Sequence, residues 1–151
     1  MKTPKRETML KWKIGKAKKE FWRVFSVYIR MRDKGVCFTC GKTIPDYYNR
    51  YGDLKPGWKA GQAGHFVTAA NCGLALYFHE QNVHCQCHHC NVNLSGNWLE
   101  YEKEMIARYG HEAVTEIKLL KWEGNVKYKV FDYVDKIEEY TKRIRDMEES
   151  C

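Results

Sequence analysis

The chain has 151 residues with 26 basic against 19 acidic side chains, a formal charge of +7 and an isoelectric point near 9.0. That length supports one modest core with helical flanks rather than two equal domains, since cores below ~70–80 residues usually need extra staples, and the basic balance favours polyanionic partners. No apolar run approaches the ~18 residues of a membrane span and no signal-like apolar region opens the chain, so a reducing cytoplasm is expected and a membrane partner is not. Seven cysteines, four of them in Cys-x-x-Cys pairs, then favour metal coordination over a disulfide framework. Aromatic residues make up 14% of the chain; most are expected in the core, with a minority free to stack on bases.

Residues 1–6 read as a charged tail, and a helix is expected from near Thr8. Leu10, Ile14, Phe21, Val24, Phe25, Tyr28 and Ile29 recur at three- and four-residue steps as one apolar stripe. Lys11, Lys13, Lys16, Lys18 and Lys19 fall on the other face, either as a solvated surface or as phosphate contacts that position DNA without reading its sequence. Gly35 ends this helix. Residues 41–61 carry Pro45, Pro56, Gly52 and Gly57 among tyrosines, which suits a long irregular excursion, a surface insertion or a segment that touches substrate.

Two short strands are expected at 60–67 and 82–86, the second leading into Cys87. The helix after it has Trp98, Leu99, Met105 and Ile106 as its apolar face and stops at Gly110. Another helical pattern covers 112–121 with Val114, Ile117 and Leu120 inward, a turn falls at Gly124 and Asn125, and a last helix spans 130–148 on Val134, Ile137, Ile144 and Met147. There is no internal repeat and no low-complexity tract.

The chemistry-bearing residues cluster between 37 and 97. Zinc takes four tetrahedral sulfur or nitrogen ligands, and a Cys-x-x-Cys turn supplies two, so Cys37 and Cys40 with Cys87 and Cys90 can close a structural site. His84, His88, His89 and Cys85 crowd the second pair and are alternative ligands; Cys72, Cys85 and Cys151 are otherwise spare. His65, in Ala63-Gly64-His65-Phe66, is left over for chemistry, although an isolated histidine is often a buried structural residue. Asn82 and Asn91 alone would be ordinary turn or cap residues.

The order of Ala63-Gly64-His65-Phe66, Phe78-x-Glu80-x-Asn82-x-His84, Gln86-Cys87, Cys90-Asn91 and Ser95-Gly96-Asn97 resembles the phage NinG family, whose lambda member is a recombination endonuclease. The match runs from residue 37 to about 117, with a weaker echo in Tyr28-Ile29-Arg30-Met31-Arg32-Asp33. The resemblance implies an α+β fold with a ββα-metal core of the HNH and endonuclease VII type, stapled by a zinc knuckle pair of four cysteines and flanked by N- and C-terminal helices. It divides the chain into a basic helix (1–34), the nuclease core (35–110) and C-terminal helices (111–151). The implied activity is Mg²⁺- or Mn²⁺-dependent hydrolysis of branched DNA, such as Holliday junctions and displacement loops, in phage or prophage recombination. A homodimer would supply two cuts symmetrically.

Phosphodiester hydrolysis needs a base for water and a divalent cation for the developing charge. By the resemblance His65 is the base, Asn82 aims its ring by a hydrogen bond across the hairpin, and Asn91 offers an amide oxygen to the cation. Gln62 stands where the lambda protein and endonuclease VII carry an aspartate, and an uncharged amide binds a hard cation more weakly. Gln62 and Asn91 then hold Mg²⁺ loosely, or a carboxylate such as Glu80 moves in, or the enzyme is impaired. Tyr77 also replaces an arginine of the lambda protein. Two rival readings are a catalytically silent zinc-stapled DNA-binding protein and a general HNH nicking or restriction-type nuclease.

Overall fold

The structure is a computed structural model and describes residues 1–122 and 126–151. The turn expected at Gly124 and Asn125 lies outside the described residues. In chain order the elements are helices α1 (Arg6–Met9) and α2 (Ile14–Arg32), strands β1 (Tyr47–Tyr48), β2 (Leu54–Lys55) and β3 (Gln62–His65), helix α3 (Leu74–Tyr77), strand β4 (Val83–Gln86), and helices α4 (Trp98–Leu120) and α5 (Val130–Glu149). A 3₁₀ turn occupies Gly57–Lys59 and a π turn His89–Asn93.

The apolar stripe of α2 begins later than its spacing suggests. The chain turns between α1 and α2, which breaks the helical phase: Met9 is buried, while Leu10 and Ile14 are 43% and 53% exposed. From Ala17 the steps hold, and Phe21, Val24, Phe25, Tyr28 and Ile29 are all buried. They pack against Tyr133, Val134, Ile137, Tyr140 and Ile144 of α5, so the N- and C-terminal helices close one core together with Phe78 and Val83. Arg6 ties α1 to α5 through Asp135 (2.7 Å) and Glu138 (2.5 Å).

A second core lies on the other side of the hairpin and joins Phe38, Phe66, Leu76, Tyr101, Met105, Val114 and Ile117. Here α4 departs from its expected face. Tyr101 donates its hydroxyl to Gly64 O at 2.8 Å and sets the rotation of the helix, which leaves Trp98 and Leu99 exposed. Gly110 interrupts α4 with φ 86° and ψ 162°, a left-handed backbone that glycine adopts without a Cβ clash, so the expected stop is a break between two helical halves.

Strands β3 and β4 pair antiparallel between these cores, Gln62 opposite Gln86 and His65 opposite Val83. The excursion 41–61 is more ordered than its composition suggests, because Tyr47 and Tyr48 of β1 pair with Lys55 and Leu54 of β2. The run Tyr28 to Asp33 has a structural role: Arg32 donates to Glu80 O (2.8 Å) and Val83 O (3.0 Å), and Asp33 Oδ2 accepts the Cys85 N–H (2.7 Å). The end of α2 therefore clamps β4 in place. No described helix is long and apolar enough to cross a membrane.

Candidate functional site

Cys37, Cys40, Cys87 and Cys90 converge as expected: their sulfur atoms all lie within 4.8 Å of one another, with Cys40 Sγ and Cys87 Sγ 3.9 Å apart. Four ~2.3 Å zinc–sulfur bonds in a tetrahedron place sulfurs ~3.8 Å apart, so the cluster can hold a zinc ion. The first knuckle is docked on β4 by the Phe38 N–H to Cys85 O bond (2.8 Å) and closed by the Gly41 N–H to Cys37 O bond (2.8 Å). The second receives N–H groups on sulfur, from the Cys90 backbone to Cys87 and from the Asn97 amide to Cys90, both at 3.5 Å. Burial opposes ionisation of Cys37, but Thr39 and backbone donors bring it down to about 6, whereas burial and then the neighbouring thiols push Cys40 up to about 12. Sulfurs this close ionise together only around a cation. The alternative ligand His84 is instead held between the Tyr101 and Tyr109 hydroxyls, at 3.0 and 2.7 Å.

Gln62 and Asn91, 29 positions apart in sequence, meet beside this cage. Asn91 Nδ2 donates to Gln62 Oε1 at 2.8 Å, and Gln62 Nε2 lies 3.3 Å from His88 Nδ1. The pair is thus satisfied by its own hydrogen bond, leaving Asn91 Oδ1 as the oxygen free to face a cation. Gln86 joins it, a residue of the Gln86-Cys87 step to which sequence reasoning assigns no role at the site. Its Nε2 donates to Gly96 O (3.0 Å) and Thr39 Oγ1 (3.3 Å), while Oε1 is buried and accepts no hydrogen bond among the described residues. A Cβ built on Gly64 would come within 1.9 Å of Gln86 Oε1 and 2.9 Å of Asn91 Oδ1, so both oxygens converge over a backbone position that only glycine can occupy. The signals available were Gly64 directly before His65 and the place of Gln86 directly before Cys87.

His65 projects from the opposite face. Strand alternation puts Gln62 and Gly64 on the α4 side and Ala63 and His65 on the α2 side. There the His65 ring stacks on Trp22, centroids 5.0 Å apart at 16°, beside Tyr77 at 4.8 Å. Its Nε2 lies 2.9 Å from Tyr77 O. A carbonyl only accepts, so Nε2 carries the proton and Nδ1 keeps a lone pair in the neutral ring. Burial lowers the pKa of His65, the Tyr77 bond opposing it, and so favours that neutral form. No hydrogen bond joins His65 to Gln62 or Asn91 among the described residues.

Asn82 does not make the expected bond to His65. It is fully buried, and both ends of its amide are committed to backbone: Oδ1 accepts the Val67 N–H (2.7 Å), and Nδ2 donates to Val67 O and Leu76 O (3.1 Å each). Leu76 precedes Tyr77, so Asn82 fixes the stretch of backbone whose next carbonyl accepts the hydrogen bond from His65 Nε2–H. Glu80 is also elsewhere, held by Arg143 (2.6 Å), Tyr140 (2.7 Å) and Tyr28 (3.2 Å). Burial opposes its charge, yet these partners keep its pKa below the usual carboxylate range.

The five lysines divide. Lys11, Lys13, Lys16 and Lys19 are exposed, and none of the five forms an ion pair among the described residues. Lys18 is half-buried, its Nζ 4.7 Å from the Tyr77 ring, which brings a positive charge to the His65 side of the hairpin.

Residues 2–150 match the family model described as Bacteriophage Lambda NinG protein. The relatives named Protein ninG from Escherichia phage lambda and Enterobacteria phage VT2-Sa are each 35% identical over 101 residues, which is 66% of this chain and 43% of theirs. The matched region therefore spans less than half the length of these relatives. No solved structure matches the chain. With the family model running over almost the whole sequence, the chain belongs to the bacteriophage NinG family.

Proposed function

We propose that this protein is a divalent-metal-dependent DNA endonuclease that cuts branched recombination intermediates, Holliday junctions or displacement loops, during phage or prophage recombination in the host cytoplasm. The observation that carries the reading is the His65 bond to the Tyr77 carbonyl, which leaves Nδ1 as the proton acceptor of a neutral imidazole. His65 Nδ1 takes the proton of the attacking water, Trp22 and Tyr77 hold the ring in place, and Lys18 draws in the phosphate. One such base contributes ~10²–10⁴-fold to rate. In this reading β3, β4 and α4 are the ββα-metal core.

The residues fit a divalent cation through Asn91 Oδ1 and the orphaned Gln86 Oε1, with Gln62 as a further amide, and a substrate phosphate would complete the set. Bound there, Mg²⁺ or Mn²⁺ supplies positive charge against the phosphate and leaving oxygen. The exposed Lys11 and Lys13 before α2 and Lys16 and Lys19 on it add contacts that position DNA without reading its sequence. Symmetric cuts on a junction call for two sites, hence a homodimer.

One observation favours a second reading. Gln62 and Asn91 bring no carboxylate and satisfy one another, which suits a zinc-stapled protein that binds DNA without cutting it. Comparing a four-way junction, a flap and a linear duplex, with Mg²⁺ added or omitted, separates the two. Mg²⁺-dependent cutting of the junction supports the endonuclease, binding without cutting supports the silent binder, and preferential cutting of linear duplex supports a general nicking nuclease.

A further inference from the structure

A groove of about 410 Å³ lies between the segment after β3 and the two ends of α4, lined by Phe66, Thr68, Asn71, Trp98, Lys118 and Trp122. That volume is within the ~300–1,000 Å³ of sites that hold one small ligand. Two large indoles stand open in it: Trp98 is 48% exposed and Trp122 78%. Burying such rings in the core would be favourable, so a pair left facing solvent in one concave place calls for a ligand.

The chemistry of the lining indicates which. The Trp98 ring lies parallel to Phe66 at 3°, centroids 6.3 Å apart. Lys118 Nζ is 5.6 Å from the Trp98 centroid and 5.9 Å from that of Phe66, and Lys121 Nζ is 5.0 Å from Trp122. Lys118 is bonded to Glu102, whereas Lys121 is in no ion pair among the described residues. Flat aromatic faces beside ammonium groups match a nucleotide, whose base stacks and whose phosphate takes the cation. A protein partner would use the apolar faces but not the lysines. In a duplex the base faces are covered by their neighbours and only edges are offered, so this groove is suited to unpaired bases.

We infer that this groove is a binding site for unpaired nucleotides of single-stranded DNA, with Trp98 and Trp122 as stacking platforms and Lys121 as a phosphate contact. The inference rests on the DNA reading above and deepens it. Phe66 directly follows His65 but packs on the α4 side of the hairpin, so the groove lies on the face opposite the His65 ring. A displacement loop carries such a segment in its displaced strand, and a linear duplex does not.

The test is fluorescence anisotropy without Mg²⁺, using labelled oligothymidylate and a duplex of equal length, on the parent and on Trp98→Ala, Trp122→Ala and Trp122→Phe. Each alanine variant is expected to bind the single strand ~10-fold more weakly, a typical effect for one stacked base. Trp122→Phe should retain most of the affinity, and duplex binding should change less than twofold. Unchanged zinc content and circular dichroism check that these exposed positions have not altered the fold. Single-strand affinity unaltered in both alanine variants, or an equal loss on duplex, overturns the inference. A parent that binds duplex but not single strand overturns it alone, and a parent that binds neither overturns the nucleic-acid reading with it.

Discussion

Asn91 Nδ2 donates to Gln62 Oε1 across 2.8 Å, joining the second Cys-x-x-Cys knuckle to the first strand of the hairpin. Restoring a carboxylate at this place adds negative charge beside Asn91 Oδ1 and retains an acceptor for the amide. Gln62→Asp is expected to lower the Mg²⁺ concentration for half-maximal junction cleavage by roughly 10-fold, equivalent to ~1.4 kcal/mol of cation binding. Asn91→Ala should raise it. A Mg²⁺ titration of initial cleavage rates reads both, and identical curves would remove the pair from the metal site.

A zinc ion held by the four cysteines would link two knuckles that are 47 positions apart between Cys40 and Cys87, so its binding would be coupled to folding. Protein purified without chelator should carry about one zinc per chain. Cys37→Ser or Cys90→Ser should lose it, and a loss of ~3 kcal/mol would lower Tm by roughly 6–12 °C. Metal analysis with thermal melts decides the matter. A zinc-free protein that melts like the parent rules out a structural ion.

His84 makes the fold sensitive to acid. Tyr101 gives its one hydroxyl proton to Gly64 O, so His84 Nδ1 donates to Tyr101 and Nε2 accepts from Tyr109. Burial, with Arg32 and Arg108 nearby, pushes the His84 pKa down to about 2. An unfolded histidine titrates near ~6.5, so below that pH the unfolded chain binds the extra proton. The His84 contribution is full above pH ~6.5 and falls progressively toward pH 2. Thermal melts of zinc-saturated protein from pH 7.5 to 5 should show falling Tm, with a shallower slope in His84→Gln, and imidazole ¹⁵N shifts should report a neutral His84 at pH 5. A charged His84 at pH 5 contradicts this.

Features carried by local pattern were legible in the sequence. The strands around His65 and before Cys87, the helix interruption at Gly110 and each of the two Cys-x-x-Cys knuckles follow from spacing and turn chemistry within a short window. Contacts across the fold were not. Asn82 was expected to aim His65 directly, but its amide spans the loop to Val67 and Leu76, and nothing local distinguishes a side chain that binds a ring from one that binds backbone. Trp22 reads as one more residue of an amphipathic helix until the hairpin docks on α2 and places His65 on its face. The rotation of α4 turns on one buried tyrosine bond to Gly64, which is why Trp98 was expected inward and lies outward.

Whether His65 is the base of a nuclease is decided by single-turnover cleavage of a four-way junction by His65→Ala. The variant should keep its zinc and its junction affinity, since the cage and the lysines are untouched, and should lose ~10²–10⁴-fold in the cleavage rate with Mg²⁺ present. Cleavage by His65→Ala at the parent rate would contradict the assignment and leave the zinc-stapled DNA-binding reading or a different active centre in its place.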